Sequence, residues 1–485
     1  MTAKEIINDF KENYGKVRKL LDEDSKNDPE NNPYMSKYKA KEILINIRDS
    51  LTQLSNSEPS FDKIKLDAML GTVLVNIGII DMETEEMTAS EKVLTEAEEL
   101  LTPNSEKPEI VITLISAYNN LATLSQFFAE QNGFFQSRHH LAAASKILEQ
   151  YELSLLETDN NDEAYLAKME TFKHRSADVA RCWAKYCLLL MTASKARLMN
   201  DAERLNDAIT DMSNLELEDT ENICGGDMKQ LVFADLDVAK YESKVTDKFL
   251  LTYADAREVF FNCQNWLNKA KEYYKLDTLA SDYIELIQDS SQSYAYLAFF
   301  EEDDERRAKM HKRRIDMLED LIKEINPTYY LQFCRQLWYE LGEVYSEILN
   351  IKLDKINKSA EKPTPHALKK INMLCEKSIE NYDNFLDSVK DKNGKMPRKL
   401  EYDIIRPVIS AYAFIGRNSM KRIALDKSMQ LNNIKQSYES YQSVVDICKS
   451  DEEAAAMMAE EFNLCQEMAN ILPIKIKMLE SVQVS

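Results

Sequence analysis

Between Pro108 and Pro327 the chain contains no proline, while apolar residues recur there at three- and four-residue spacing. Proline is the strongest helix breaker, because it lacks the N–H and clashes with the preceding turn. A stretch this long without it suits long helices joined by short polar turns. Glycine is scarce as well: the 485 residues include 9 glycines and 11 prolines, far below ordinary usage of about 7% and 5%. Strand-rich folds need turn residues every few positions, and dinucleotide or P-loop enzymes need glycine where phosphate meets backbone. The expectation is an all-α chain.

The periodicity places helices at about 3–24, 35–55, 61–81, 84–102, 107–131, 134–154, 160–200, 229–246, 253–275, 279–301, 303–325, 327–358, 366–390, 398–424, 428–449 and 451–481. The main interruption, Asn214–Asp227, holds the only Gly-Gly pair and reads as the boundary between two arrays of helical hairpins.

The hairpins share a grammar. Trp338-x-x-Leu341-Gly342-x-x-Tyr345 reproduces the first-helix signature of the tetratricopeptide repeat. The small eighth residue lets the second helix approach, and Ser378, Tyr382 and Phe385 follow at the spacing of that partner helix. Looser copies run from Leu74, Ile77 and Gly78 to Ser90, Leu94 and Ala97. Others run from Leu121, Leu124, Ser125 and Phe128 to Ser137, Leu141 and Ala144, and from Tyr412, Ile415 and Gly416 to Ser437, Tyr441 and Val444. Trp183-x-x-Tyr186-Cys187-x-x-Leu190 begins another. Such pairs cover one another's apolar faces by stacking, which predicts a right-handed α-solenoid with a concave inner surface.

First helices line that surface. Counting from Ser125 as the eighth position places Asn119, Ala122, Thr123, Gln126 and Glu130 in the groove. The same count from Gly342 gives Gln336, Tyr339, Glu340, Glu343, Ser346 and Glu347, of which Gln336, Tyr339 and Glu343 are candidates for a second contact.

Charge narrows the partner. With 83 acidic and 61 basic side chains the formal net charge is −22, the wrong sign for nucleic acid or an anionic membrane surface. It favours solubility and a basic protein partner. No segment approaches the roughly 20 apolar residues of a membrane-spanning helix, and the first residues, MTAKEIINDFKENY, do not read as a secretory signal. The eight cysteines form no CxxC and read as small buried residues of a reducing compartment.

No catalytic or cofactor motif is present: the chain lacks GxxxxGK[ST], GxGxxG after a strand, HExxH and GxSxG. Adjacent His139 and His140 point about 100° apart on a helix, unlike a metal pair. The run EEDDE at 301–305 is followed by Arg306 and Arg307, so it reads as an acidic first helical turn rather than a metal motif. The basic cluster Arg306, Arg307, Lys309, Lys312, Arg313 and Arg314 reads either as a solvated face or as a contact for an acidic patch. Four-apart pairs Asp303–Arg307 and Glu305–Lys309 would support the solvated face. The implied class is a non-catalytic scaffold that uses no cofactor or small-molecule substrate.

Longer segments carry a resemblance. VARCWAKYCLLLM at 179–191, LAFFEEDDERRAKMHKRRIDMLE at 297–319 and NPTYYLQFCRQ at 326–336 strongly resemble the KIF-binding protein family. NPYMSKYKAKEIL near the amino terminus, TEEMTASEKVL at 84–94, ATLSQFF at 122–128 and NYDNFLDSVKD at 381–391 agree with it in the same order. The resemblance implies tetratricopeptide proteins of the cytoplasm and cytoskeleton, with two arrays joined by a long linker helix. They grip kinesin motor domains in the groove and hold them off microtubules. It implies an amino-terminal array over 1–158, a linker helix over 159–200, an irregular segment over 201–228 and a second array with its capping helix over 229–485. Thr123 and Gln136 match family positions that face the motor. The resemblance also implies a shortened first array, with about two hairpins lost between TEEMTASEKVL and ATLSQFF. A peptide-tail adaptor of the co-chaperone kind is the alternative; its clamp would need lysine, arginine and asparagine in one groove.

Overall fold

The computed structural model describes residues 3–29, 31–57, 62–127, 133–156, 162–210, 236–359, 362–397, 399–424 and 426–483. Among these there is no strand. The chain divides into two compact units, Met1–Asp289 and Ser290–Ser485.

The first unit contains α1 (Ala3–Asp22), α2 (Met35–Ser57), α3 (Lys63–Glu83), α4 (Met87–Leu101), α5 (Pro108–Phe127), α6 (Gly133–Leu156), α7 (Glu163–Thr210), α8 (Ala239–Glu242), α9 (Tyr253–Tyr273) and the first half of α10 (Ala280–Phe300). The second contains the rest of α10, then α11 (Asp304–Glu324), α12 (Leu331–Lys358), α13 (Pro365–Val389), α14 (Tyr402–Lys421), α15 (Lys427–Ser450), α16 (Glu452–Met457) and α17 (Ala459–Gln483). Local chemistry sets many of the starts. Asp62, Thr252, Asp303, Thr364 and Asp426 each accept a backbone N–H of the first turn, and Thr252 with Asp255 completes a capping box.

Most helices form where the periodicity puts them; the one expected over 451–481 breaks at Met458 into α16 and α17, and two other stretches differ. The helix expected over 229–246 reduces, in its described part, to the single turn Ala239–Glu242; residues 229–235 lie outside the described residues. Residues 201–210, expected to be irregular, continue α7 as helix, and the Gly-Gly pair lies outside the described residues.

Three hairpins close on the same atoms. In α12–α13, a Cβ built on Gly342 would stand 2.9 Å from three atoms of the Tyr382 ring, so only glycine admits the ring at this distance. Beside it the Ser378 hydroxyl donates to the Gly342 carbonyl at 2.7 Å. In α14–α15, Gly416 faces the Tyr441 ring and Ser437 donates to the Gly416 carbonyl at 2.8 Å. In α3–α4, Gly78 faces Leu94 and Ser90 donates to the Gly78 carbonyl at 2.7 Å. All three serines are 0% exposed, so each hydroxyl must find a partner inside the hairpin, and the glycine carbonyl's second lone pair supplies it.

α7 pairs out of sequence order. Cys187, in the eighth position, is fully buried, and the Cys263 thiol of α9 approaches the Ala184 carbonyl at 3.7 Å. Trp183 stacks on Trp266 of α9, with centroids 5.8 Å apart, and donates its indole N–H to Ser145 of α6 at 2.9 Å. The segment around α8 is pinned to α6 and α7 from outside that hairpin. His139 meets Glu242 at 2.5 Å, Arg138 meets Asp247 at 3.1 Å, and the Tyr186 hydroxyl donates to the Thr246 carbonyl at 2.9 Å.

Candidate partner-binding faces

In the first unit α5 packs against α3, α4, α6 and α7. That enclosure buries part of the counted face: Ala122 is 0% exposed and Asn119 is 8% exposed. The Asn119 side-chain oxygen has no hydrogen-bond partner among the described residues. Thr123 is half-buried, and its hydroxyl donates to the Asn119 carbonyl at 2.9 Å. Gln136, also half-buried on α6, accepts from His140 through its backbone carbonyl at 2.9 Å. Gln126 lies within α5, but its side chain, like the whole of Glu130, is outside the described residues. The structure therefore brings Thr123 and Gln136 to one hairpin as partly accessible groups.

α7 adds charges that the repeat count did not single out. Arg181 meets Asp282 at 2.7 Å and also Glu285, and Lys185 meets Asp289 at 2.7 Å, all on α10. These cations are neutralised inside the unit. The two adjacent histidines have separate partners, His139 in Glu242 and His140 in the Gln136 carbonyl. Burial lowers the pKa of His139 despite its carboxylate neighbour, and burial pushes the Cys182 thiol up to about 12.

In the second unit α12 carries the other counted face, and the structure sorts its residues. Ser346 is buried and accepts from Asn418 at 2.7 Å, which removes it from any open surface. Glu340 is tied to Arg314 at 3.1 Å and accepts from Ser291 at 2.5 Å. Gln336 and Glu347 are exposed, and Tyr339 and Glu343 are half-buried. Tyr339 meets Tyr382 and Phe385 edge-on at 5.6 and 5.5 Å, and Tyr382 stacks on Phe414 at 5.4 Å. Burial pushes the Glu343 carboxyl up to about 7; nearby Glu340 and Glu347 add to this and Arg314 opposes it.

The basic cluster is not one surface. Arg314 is 8% exposed; its guanidinium donates to Ser291 at 3.1 Å, to His311 at 3.3 Å and to Glu340. Burial, with Arg314 and Arg307 adding, pushes His311 down to about 3, so its neutral ring accepts from the arginine. Arg314 is thus an internal tie among α10, α11 and α12. Arg306 and Arg307 meet Glu301 and Asp304 at 3.5 and 3.2 Å, and Lys312 meets Asp316 at 2.7 Å. Lys309 and Arg313 are exposed. The expected surface pairs do not form. Asp303 turns to the helix start, accepting from the Arg306 N–H at 2.8 Å, and Glu305 reaches α12, meeting Lys352 at 2.9 Å and Lys355 at 2.7 Å. Capping satisfies an orphan backbone donor, which a solvated four-apart pair cannot do.

Among the described residues, no group of three or more His, Cys, Asp or Glu side chains could hold a metal ion, and no helix is long and apolar enough to cross a membrane.

Stacked hairpins locked through a small eighth residue, with first helices offering polar side chains, define a helical-repeat scaffold of the tetratricopeptide type. The model of the KIF-1 binding protein C-terminal region matches residues 117–479. A KIF-binding protein of Drosophila melanogaster is 30% identical over 594 aligned positions that cover 99% of this chain and 98% of that protein. One from Xenopus tropicalis is 39% identical over 366 residues, covering 74% of this chain and 59% of that protein. A solved structure described as "Cryo-EM map of KIFBP" shares the fold with a TM-score of 0.50, at 22% identity over 98% of this chain and 99% of that one. The chain belongs to the KIF-binding protein family. It is shorter than the fly relative along its length: more than a hundred of the 594 aligned positions have no counterpart in these 485 residues.

Proposed function

We propose that this chain binds kinesin motor domains and blocks their attachment to microtubules, as a non-catalytic scaffold of the cytoplasm that regulates kinesin-driven transport and processes such as axon growth. Family membership over residues 117–479 is the observation that carries the reading. Charge supplies the physical reason. A motor surface that docks on acidic tubulin is itself basic, and a scaffold of formal net charge −22 competes for it electrostatically. The first contact is assigned to Asn119, Thr123, Gln126, Glu130 and Gln136; Thr123 and Gln136 are supported by partial exposure on one hairpin.

The test is co-sedimentation of purified kinesin motor domains with microtubules, with and without this chain. Depletion of motor from the pellet, weakened as salt rises above about 0.15 M, is expected. Unchanged pelleting across a panel of motor domains overturns the reading.

A further inference from the structure

The last described helix, α17, departs from what usually closes a stack of repeats. Terminal helices keep a polar outer face, because no further hairpin covers it. The inner face of α17 is ordinary: Cys465, Ala469 and Leu472 are buried against α14 and α15. The outer face is apolar. Leu464, Ile471, Ile474 and Met478 are between 49% and 63% exposed. At 100° per residue they share one side of the helix, and at 1.5 Å per residue the line runs about 21 Å. Single exposed apolar residues are normal, whereas a continuous line of them marks a surface that another surface covers. Pro473, two residues after Ile471, stands on the opposite side by the same count and does not interrupt the line.

Between Leu464 and Met478 the side chains of this face are arranged symmetrically about Ile471. Seven residues to either side stand Leu464 and Met478, and three to either side Met468 and Ile474. Four to either side stand an acid and a base, Glu467 and Lys475. All of them fall within about 60° of Ile471 around the helix, while Lys477 lies about 120° away. A two-fold axis requires this pattern, since in a self-complementary contact residue i meets j and j meets i. Neither Glu467 nor Lys475 has an ion pair among the described residues, whereas Glu480 is taken by Lys435 of α15 at 2.8 Å.

We propose that the outer face of α17 docks on the same face of a second copy of this chain, antiparallel, with Ile471 on the two-fold axis. Leu464 then meets Met478 of the second copy. The layer of Glu467 and Met468 meets the layer of Ile474 and Lys475 of the second copy, and both contacts occur twice. A parallel copy would set glutamate beside glutamate and lysine beside lysine, which repel. Two faces about 21 Å long bury less than the roughly 1,600 Å² of a standard interface, so the dissociation constant is on the order of micromolar. The contact uses no residue of the α5–α6 hairpin and is independent of the motor-binding reading.

The test is sedimentation velocity of the full chain from about 1 to about 100 µM, a range that brackets such an affinity. A reversible monomer–dimer equilibrium is expected. Ile471→Asp, which sets two carboxylates against each other on the axis, should weaken dimerisation at least about a hundredfold. Its thermal melt at low concentration should match wild type, because Ile471 is exposed in the single chain. Lys475→Glu and Glu467→Lys should each weaken dimerisation about tenfold, as each acts twice across the axis, and the two together should restore it. A chain that stays monomeric at the highest concentration overturns the proposal and leaves the face to a different protein. A dimer that persists in Ile471→Asp places the contact elsewhere and overturns it too. A double variant no tighter than the single ones rules out the antiparallel pairing.

Discussion

Gly342→Ala tests the hairpin lock where it is tightest. The added Cβ would meet Cε1, Cε2 and Cζ of Tyr382 at 2.9 Å, several tenths of an ångström inside normal contact. The ring cannot step aside freely. Phe414 stacks on it at 5.4 Å with planes 2° apart, and Tyr339 closes its edge at 5.6 Å. Overpacking of this kind costs about 1–3 kcal/mol, and alanine's better helix propensity returns about 1. With the ring held by two neighbours the overpacking falls in the upper half of that range, about 2–3 kcal/mol, which leaves a net loss of about 1–2 kcal/mol. Gly15 is the internal control, since a Cβ there meets nothing within 4 Å, and Gly15→Ala should stabilise by up to about 1 kcal/mol. Both are measured by urea unfolding followed through tyrosine and tryptophan fluorescence, fitted with more than one transition because the chain has two units. A Gly342→Ala chain as stable as wild type, with Gly15→Ala behaving as stated, would refute the packing argument.

Three further outcomes follow from named contacts. Glu343 holds its proton more tightly folded than unfolded, so the folded chain loses stability as pH rises from about 4.5 to about 7. Glu343→Gln should abolish that loss, gaining up to roughly 3 kcal/mol at pH 8 and nothing below about pH 4.5, as read from denaturation at several pH values. Arg314→Ala should cost about 3 kcal/mol in unfolding experiments, because Glu340 is left without its cation and Ser291 without a donor. Glu85 sits at φ 65 after α3, where the Glu86 N–H bonds the Asp81 carbonyl at 2.7 Å; Glu85→Gly should raise stability by about 1 kcal/mol in thermal melts.

What the sequence revealed depended on whether the signal was local. The Gly342, Gly416 and Gly78 locks were legible because each helix carries its own local spacing: the glycine follows an apolar residue in the first helix, and the large partner stands four residues after a serine in the second. Ser378, Ser437 and Ser90 were legible as small residues; that each would close the hairpin onto a glycine carbonyl was not. Pairings across long stretches were hidden. α7 takes α9 as its partner beyond residues 211–252, and Glu305 prefers Lys352 and Lys355 on α12 to a lysine one turn away. Arg314 looked like the rest of its basic run because periodicity does not say which arginine faces inward. The candidate groove was partly legible: counting brought out Thr123, Tyr339 and Glu343, and packing covered Ala122, Asn119 and Ser346.

In the proposed function a motor domain is held against the α5–α6 hairpin of the first unit. Its most direct test is the affinity of one kinesin motor domain for the wild-type chain and for a variant carrying Thr123→Arg, Gln126→Arg and Gln136→Arg, measured at low and at physiological salt. Three cations set against a basic surface should weaken binding at least about a hundredfold, with part of the loss recovered as salt screens the repulsion. Equal affinity for the two chains would contradict the account and move the motor away from this hairpin.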